Sequence, residues 1–555
     1  MNPKIIIIVL ALASALPPVA WPAAPVDTSA GAAQRRSLER LEQQRRQEAL
    51  SRRRGAEKGL LPEIPQAPVE GGAAVRIPVT RIEVDRSRVL DPAAIRAITA
   101  PLEGRTVTLA QLQQAAAAIS ALYRQQGVLG RADVPPQRVR EGRVRIRLIE
   151  PTIGELKLPP LAHTRPDFVR DRIGLQPGDL IDLNRLERDL LRLNWLYDLD
   201  LRTRLAPGRA FATSDLVFSA EEPPPYRGTV FVDDFGRTTI GRLRAGFLVT
   251  DTSLTGRRDP ATIGLTLAEG TREAHLDYLS PLGSSDLRAG LRLDYTDIRV
   301  IDGPLKPLDV GGDSITASVQ LRYPLATRLH LFSDLGLGFD WKQSDTDFSG
   351  VPISRSRVQT IHLDNLGYWF FPGGVLISSQ AFYVGRPLLG GMQEFFRYEG
   401  HLSAQLEFGH DLTGVFRAGG QWSDRDNLPV QEQWQVGGNA TVRGYPEGLL
   451  IGDTGYLVSA ELRYPLFRHL PGLPGRWRRD GRGMVFLDHG AAFPFKGNAG
   501  GIDSDDFLTS AGIGFSLPVV ANLTLQVQAG FPLVSRRIDS EDDYEVHGFL
   551  AWRSP

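Results

Sequence analysis

The chain contains no cysteine, no excess of either charge and, past Leu16, no apolar run long enough to cross a bilayer as a helix. Each absence removes a class of protein. Without cysteine there are no disulfides, iron–sulfur clusters or thiolate zinc sites. With 64 basic against 64 acidic residues the formal net charge is zero, so the chain lacks the electrostatic footprint of a nucleic-acid binder. With no spanning helix, insertion into a membrane has to use a closed β-barrel, in which every backbone group finds a partner. Catalytic signatures are missing as well. There is no Gly-x-x-x-x-Gly-Lys-Ser/Thr phosphate loop, no His-Glu-x-x-His and no Gly-x-Ser-x-Gly, and the nine histidines have no ligand spacing. The expectation is a protein that is not an enzyme and holds no metal and no cofactor.

What is present is ordered along the chain. Lys4, the apolar run Ile5–Leu16 and small residues up to Ala24 read as a secretory signal peptide, residues 1–24. Residues 25–54 hold a helix with charge on nearly every face (Arg35, Arg36, Glu39, Arg40, Glu42, Arg45, Arg46, Glu48). Such a helix suits solvent or a polar cavity, not an oily core. Residues 55–76, with Pro62, Pro65, Pro68, Gly71 and Gly72, read as a linker.

An internal repeat follows, with an offset of about 74 residues. Thr108 and Asp182 are N-cap residues that open two amphipathic helices with the same apolar stripe: Leu109, Leu112, Ile119 and Tyr123 in one, Leu183, Leu186, Leu193 and Tyr197 in the other. The same offset carries Gly104 onto Gly178, and Ile82/Val84 onto Leu156/Leu158. The units 77–151 and 152–225 each read strand, short helix, helix, strand, strand. In the first, Asp91-Pro92 opens the short helix and Val144–Leu148 is the last strand. In the second, Leu199–Leu205 and Asp215–Phe218 are the closing strands.

From Tyr226 onward helix signals vanish and a period of two takes over. Leu287, Ala289, Leu291, Leu293 and Tyr295 alternate with Arg288, Gly290, Arg292 and Asp294; Leu335, Leu337, Phe339 and Trp341 alternate with Gly336, Gly338, Asp340 and Lys342. One face is apolar and the other polar, which fits a membrane barrel and also a soluble sandwich with one wet face. Several strands run to about ten residues, longer than the five or six usual in soluble sheets. Pro-Leu turns recur at Pro281-Leu282, Pro324-Leu325, Pro465-Leu466 and Pro532-Leu533, with longer polar connections between them. Both features favour the barrel, with Tyr323, Tyr464 and Phe531 expected at the membrane interface. At about 20 residues per strand with its connections, 226–555 accommodates about sixteen strands. The fold class expected is mainly β: a 16-stranded antiparallel transmembrane β-barrel preceded by two α+β domains and an N-terminal helix.

The most specific segment is Val436–Gly448, which contains Val442-Arg443-Gly444-Tyr445; one strand further on lies Phe486-Leu487-Asp488-His489-Gly490. Here the chain resembles the two-partner secretion transporters (TpsB family), relatives of the barrel-assembly proteins of the outer membrane. Their sixth surface loop carries a Val-Arg-Gly-Tyr/Phe motif, folds back into the barrel, and brings its arginine to the aspartate of a Phe-x-Asp-x-Gly pattern on the inner wall. The resemblance therefore implies that Arg443 pairs with Asp488, with Val442, Gly444, Tyr445, Phe486 and Gly490 around them as a loop lock that gates the pore. Two opposite charges about 4 Å apart attract by roughly 4 kcal/mol at an effective dielectric near 20, before desolvation is subtracted. Glycine beside the arginine lets the loop backbone approach the wall.

The resemblance covers nearly the whole chain. It makes the helix 25–54 a plug of the barrel, and the repeats POTRA 1 (77–151) and POTRA 2 (152–225). Val232-Asp233-Asp234-Phe235-Gly236 with Gly241 is similar to the family's opening strand, with Asp234 in place of an expected asparagine. The family's C-terminal aromatic is matched by Trp552, followed here by Arg553-Ser554-Pro555. The function implied is export, across the outer membrane of a Gram-negative bacterium, of a partner exoprotein of haemagglutinin, haemolysin or adhesin type, unfolded in the periplasm. Outer-membrane lipid surrounds the barrel, the barrel-assembly machinery inserts it, and the transporter is a monomer. The POTRA domains are expected to take the exoprotein by β-augmentation, through Leu109, Tyr123, Val144 and Ile146 in the first and Leu183 and Tyr197 in the second. Two other readings remain open: a barrel-assembly factor, which usually carries more POTRA units, and a porin or adhesin, neither of which accounts for tandem periplasmic domains.

Overall fold

A computed structural model of the chain describes residues 29–53, 75–387, 394–493, 507–534 and 544–554. The signal peptide, and the linker apart from its last two residues, lie outside the described residues. The described chain forms two compact units: one is built chiefly from residues 52–223, the other from the N-terminal helix and the chain from Pro224 onward.

The first unit holds the two repeats. In the first, Arg81–Val84 pairs in parallel with Arg143–Ile149, and Arg131–Asp133 pairs antiparallel on the other side. Helices Pro92–Thr99 and Leu109–Gln126 cover this sheet around a core of Val79, Ile82, Ile95, Leu112, Ile119 and Tyr123. Thr108 caps the long helix: its Oγ1 accepts from Gln111 N (3.2 Å), while Gln111 Oε1 accepts from Thr108 N (2.8 Å). In the second repeat Thr152–Lys157 pairs in parallel with Thr213–Glu221, which pairs antiparallel with Asp200–Pro207. Asp182 Oδ1 accepts from Arg185 N (2.9 Å) and opens the helix Leu183–Tyr197. Gly104 and Gly178 take equivalent left-handed conformations, with φ +72° and +93°, in the turn that leads to each long helix.

This topology corrects one expectation. Val144–Leu148 and Asp215–Phe218 come last in their repeats, but each belongs to the central strand of its sheet. The chain returns beside its own first strand, so the central ladder is satisfied on both sides. The free edges belong to Arg81–Val84 and Arg131–Asp133 in the first repeat, and to Thr152–Lys157 and Asp200–Pro207 in the second.

The second unit is a closed barrel of sixteen antiparallel strands, from Tyr226–Asp233 to Glu545–Arg553, whose ends pair from Phe549↔Asp233 to Arg553↔Thr229. The period of two sorts its faces. Leu291, Leu293 and Tyr295 are exposed on the outer surface, while Arg288, Asp294 and Thr296 of the same strand are buried inside. The inward charges are paired across strands: Arg288 bonds Asp334, and Arg322 reaches both Asp334 (2.8 Å) and Asp364 (3.0 Å). Pairing is what makes such burial tolerable, because a lone charge there carries its full desolvation penalty.

The Pro-Leu pairs are not all turns at one rim. Pro281 ends the strand Thr271–Pro281 and Pro465 follows Thr454–Tyr464, both at the rim where the barrel chain enters. Pro324 instead lies within the long strand Val310–Arg328, and Pro532 closes Leu523–Pro532 at the opposite rim. Proline lacks a donor but keeps an extended φ, so a strand end or a gap in the ladder accommodates it as well as a turn does.

The helix Ala30–Arg53 enters the lumen with its small residues first. Ala30 and Ala33 pack on Ile240, Ile298, Val300 and Val310.

A candidate gating site in the barrel lumen

Residues 424–453 join the strands Thr413–Ser423 and Thr454–Tyr464 at the rim away from the chain entry. This connection turns inward. Its arms pair as a short hairpin, Trp434–Val436 with Leu450–Gly452, and its base is tied by the Asp453 carboxylate, which accepts from Asn427 N (2.9 Å) and Leu428 N (2.8 Å). Val442 and Tyr445 at the tip join Trp434, Val436 and Leu450 in an apolar cluster on Leu457, Ala492 and Leu508 of the wall. The Tyr445 hydroxyl donates to the carbonyls of Thr509 (2.9 Å) or Val534 (3.1 Å).

Arg443 lies beneath this cluster, 3% exposed. Its Nε and Nη2 donate to the two oxygens of Asp488 (2.7 and 2.9 Å), and its own backbone N–H donates to the same carboxylate (3.1 Å). Nη1 reaches Glu461 (2.6 Å) and Gln528 (3.2 Å), and the guanidinium lies 3.5 Å from the ring centroid of Phe486. Two carboxylates facing one guanidinium are balanced by Arg463, 2.6 Å from Glu461, while Ser459 donates to Asp488 (2.7 Å). A planar fork with a bidentate carboxylate and an aromatic face is a geometry that lysine does not reproduce.

The glycines explain how the loop comes so close. Gly444 has φ +93°, and a Cβ there would lie 2.8 Å from the backbone of Gly530; a Cβ on Gly530 would lie 2.4 Å from Gly444 N. Two backbones meet where each lacks a side chain. A Cβ on Gly490 would meet Val436 and Val442 at 3.0 and 3.2 Å. The geometry thus brings Val442, Arg443, Gly444, Tyr445, Phe486, Asp488 and Gly490 together at one place. Glu461, Gln528 and Ser459 belong there too and were not singled out from the sequence. Each sits on the inward face of its strand among many other polar residues, so periodicity shows that it points inward but not at what.

The helix Ala30–Arg53 meets the same loop. Arg36 Nη1 donates to Gln435 Oε1 (2.6 Å), Gln435 Nε2 donates to the Ala32 carbonyl (3.2 Å), and Arg40 lies 3.8 Å from Glu447. Against the wall, Gln34 is held by Ser314 and Thr316 (2.9 Å each), Arg35 by Glu399 (3.1 Å) and Gln421 (2.8 Å), and Ser37 by Glu273 (2.7 Å). Charges spread around a helix find partners on every side only where polar walls surround it.

In the first unit the expected substrate-contacting side chains are placed differently. Tyr123, Val144, Ile146 and Tyr197 lie in the cores of their repeats, and Leu109 and Leu183 are half-buried. Tyr123 turns its hydroxyl to Glu150 (2.7 Å). Their spacing reads a helix stripe correctly, but a stripe facing its own sheet has nothing left for a ligand, so the correction moves any recognition from these side chains to sheet edges.

A family model described as "Haemolysin secretion/activation protein ShlB/FhaC/HecB" matches residues 212–517, over half of the chain. The chain belongs to this family. A second model, "POTRA domain, ShlB-type", matches residues 77–151. Among curated relatives, the heme/hemopexin transporter protein HuxB of Haemophilus influenzae is 22% identical over 469 residues, 80% of each chain. Among solved structures, CdiB from Escherichia coli superposes with a TM-score of 0.72 at 19% identity over 96% of this chain and all of that one. CdiB from Acinetobacter baumannii gives 0.67 at 15%, again over 96% of this chain and all of that one. A BamA from Haemophilus ducreyi lacking POTRA domains 1–3 gives 0.53 at 14%, over 86% of this chain and all of that one. This two-partner secretion transporter resides in the outer membrane of a Gram-negative bacterium, with its POTRA domains in the periplasm, and it exports a partner exoprotein; that reading prevails over barrel assembly.

Proposed function

We propose that Arg443 and its loop, with the helix Ala30–Arg53, hold the conduit closed at rest, and that the exoprotein passes once the helix has left the lumen. The observation that carries this reading is the mutual bonding of helix, loop and wall through Gln34, Arg35, Arg36, Gln435 and Arg443. All of these bonds are polar, so water can replace them when the helix withdraws, and no apolar core has to be broken. The transporter performs no catalysis and needs no cofactor. Folding of the exoprotein outside supplies the direction of transport.

The division of the chain goes with this role: signal peptide 1–24, plug helix 25–54, linker 55–76, POTRA 1 at 77–151, POTRA 2 at 152–225 and barrel 226–555. The unfolded exoprotein is taken at POTRA sheet edges, where backbone hydrogen bonds demand little of its sequence. The transporter acts as a monomer in outer-membrane lipid and is inserted by the barrel-assembly machinery, which reads the strand ending near Trp552. Trp552 is paired to Val230 at the barrel seam and is 41% exposed.

The test couples secretion to pore behaviour. A deletion strain should lose one exoprotein from its surface and medium while other outer-membrane barrels stay at normal levels. Complementation with a chain lacking residues 25–54 should give a higher resting conductance in planar bilayers. General loss of barrels in the deletion strain would overturn secretion as the primary role; unchanged conductance would overturn the plug.

A further inference from the structure

The barrel strand Val351–Phe371 is the longest among the described residues, with 21 residues. At about 3.3 Å per residue it spans about 70 Å, against an apolar band about 25 Å tall crossed at a tilt near 40°. It therefore projects well past the membrane, as does its partner Leu331–Phe348. The two pair along their whole length, from Leu331↔Trp369 to Phe348↔Val351. On the other side the strand Gly374–Gly385 pairs only as far as Thr360↔Gly385. Arg386 N still donates to the Gln359 carbonyl (3.0 Å), and beyond it no described strand covers the edge from Ser354 to Val358.

The backbone of Gln359 thus faces the uncovered side. In an antiparallel ladder the residues at steps of two present N–H and C=O to the same side, so Arg357 and Arg355 also offer theirs outward. Val351 and Ile353 nearby are 63% and 51% exposed. Unpaired edges of this kind template a further strand. A second copy of the same edge would set Arg355 and Arg357 against themselves in antiparallel pairing, and like charges directly opposite are destabilising. Pro352 and the register shift at Thr346/Asp347 limit the open stretch at its outer end. The edge therefore admits a short extended segment with neutral or acidic side chains opposite the two arginines, and disfavours self-association.

We propose that this edge, Ser354 to Arg357, receives the exoprotein as it leaves the barrel, as an added antiparallel strand, and starts its β-folding at the cell surface. The proposal rests on passage of the exoprotein through the lumen and names the first surface on which that chain gains structure. It also gives the vectorial drive a location, because a segment paired here cannot slip back.

The experiment uses the full-length transporter in cells that make the exoprotein identified by its loss from the deletion strain. A photo-reactive side chain at position 355 should give an adduct with that exoprotein during secretion, and one at the lipid-facing position 369 should not. Arg355→Pro and Arg357→Pro remove outward N–H groups without removing a bond to Leu331–Phe348. With both, the exoprotein should reach the surface but stay protease-sensitive several-fold longer than with the parent, while Arg355→Gln and Arg357→Gln fold it at the parent rate. Insertion of each variant is read from heat-dependent mobility, and a proline variant that does not insert leaves the decision to the adduct. No adduct at 355, or proline variants that insert and release protease-resistant exoprotein at the parent rate, would overturn the edge as the receiving site. A deletion strain that loses no exoprotein would overturn the secretion reading itself, so the two failures are distinct.

Discussion

At the scale of single residues, Arg443 has the most at stake. Its removal leaves Asp488, which is fully buried, and Glu461 without their main cation. Stranding one partner of a buried pair costs about 3–5 kcal/mol, and about 1.4 kcal/mol already shifts a closed–open equilibrium tenfold. Arg443→Ala should leave the barrel inserted and heat-modifiable while secretion falls about tenfold or more. Arg443→Lys should fall between, since lysine keeps the charge and loses the fork and the Phe486 stacking. Wild-type export from Arg443→Ala would remove the loop from the mechanism. In the periplasm, Glu150 makes a prediction about acid. Its burial would raise its pKa, but hydrogen bonds from Ser87, Tyr123 and Arg88 outweigh burial and hold it below the ordinary 4.5. A carboxylate depressed by folding contributes stability that is complete above its unfolded value and is lost as pH falls through the folded one. Hydrogen exchange at Arg88 N, which donates to Glu150 (3.1 Å), should therefore accelerate below pH 4.5. In Glu150→Gln that acid step should flatten; an identical profile would refute the role of this carboxylate.

At the scale of elements, the joint between the two POTRA repeats is unusually direct. Gly127 ends the long helix of the first with φ +71°, its carbonyl accepts from Leu183 N (2.8 Å), and Leu129 N donates to Ile181 O (2.9 Å). A Cβ on Gly127 would fall 2.0 Å from Asn184 Nδ2. Gly127→Val should cost about 1–2 kcal/mol from the left-handed backbone alone and displace Asn184. The measurement is amide exchange at Leu129 and Leu183, expected to rise together; unaltered protection would mean that the joint tolerates a side chain. The plug helix is the contrasting element. Its bonds to Ser314, Thr316, Glu399 and Gln421 are all side-chain bonds, so Gln34→Ala combined with Arg35→Ala should raise resting conductance without lowering barrel yield.

At the scale of the whole molecule, the barrel is an inside-out solution to a familiar problem. Apolar side chains face lipid, and the inward charges are matched strand to strand, as in the Arg288, Arg322, Asp334 and Asp364 ladder. The consequence is a lumen that welcomes a polar helix and equally a polar polypeptide in transit. Deletion of the gene should abolish surface exposure of one exoprotein and leave the abundance of unrelated barrels within about twofold. A broad decline of outer-membrane proteins would point to assembly and count against export.

Period-two alternation, N-caps at Thr108 and Asp182 and the Gly104–Gly178 offset are properties of local sequence, and they sufficed for the barrel, the repeat and their order. The pairing of Arg443 with Asp488 came from the likeness of two short motifs, because no local rule joins residues so far apart. What the sequence left undecided depends on which neighbour a strand or stripe meets. The last strand of each repeat became central because the chain returned beside its first strand. Tyr123 and Tyr197 became core because their stripe met a sheet. Glu461 and Gln435 became partners of Arg443 and the plug because closure of the barrel and entry of the loop brought inward faces together. Side-chain direction is encoded every second residue; the partner it meets is decided only when the ring of strands closes.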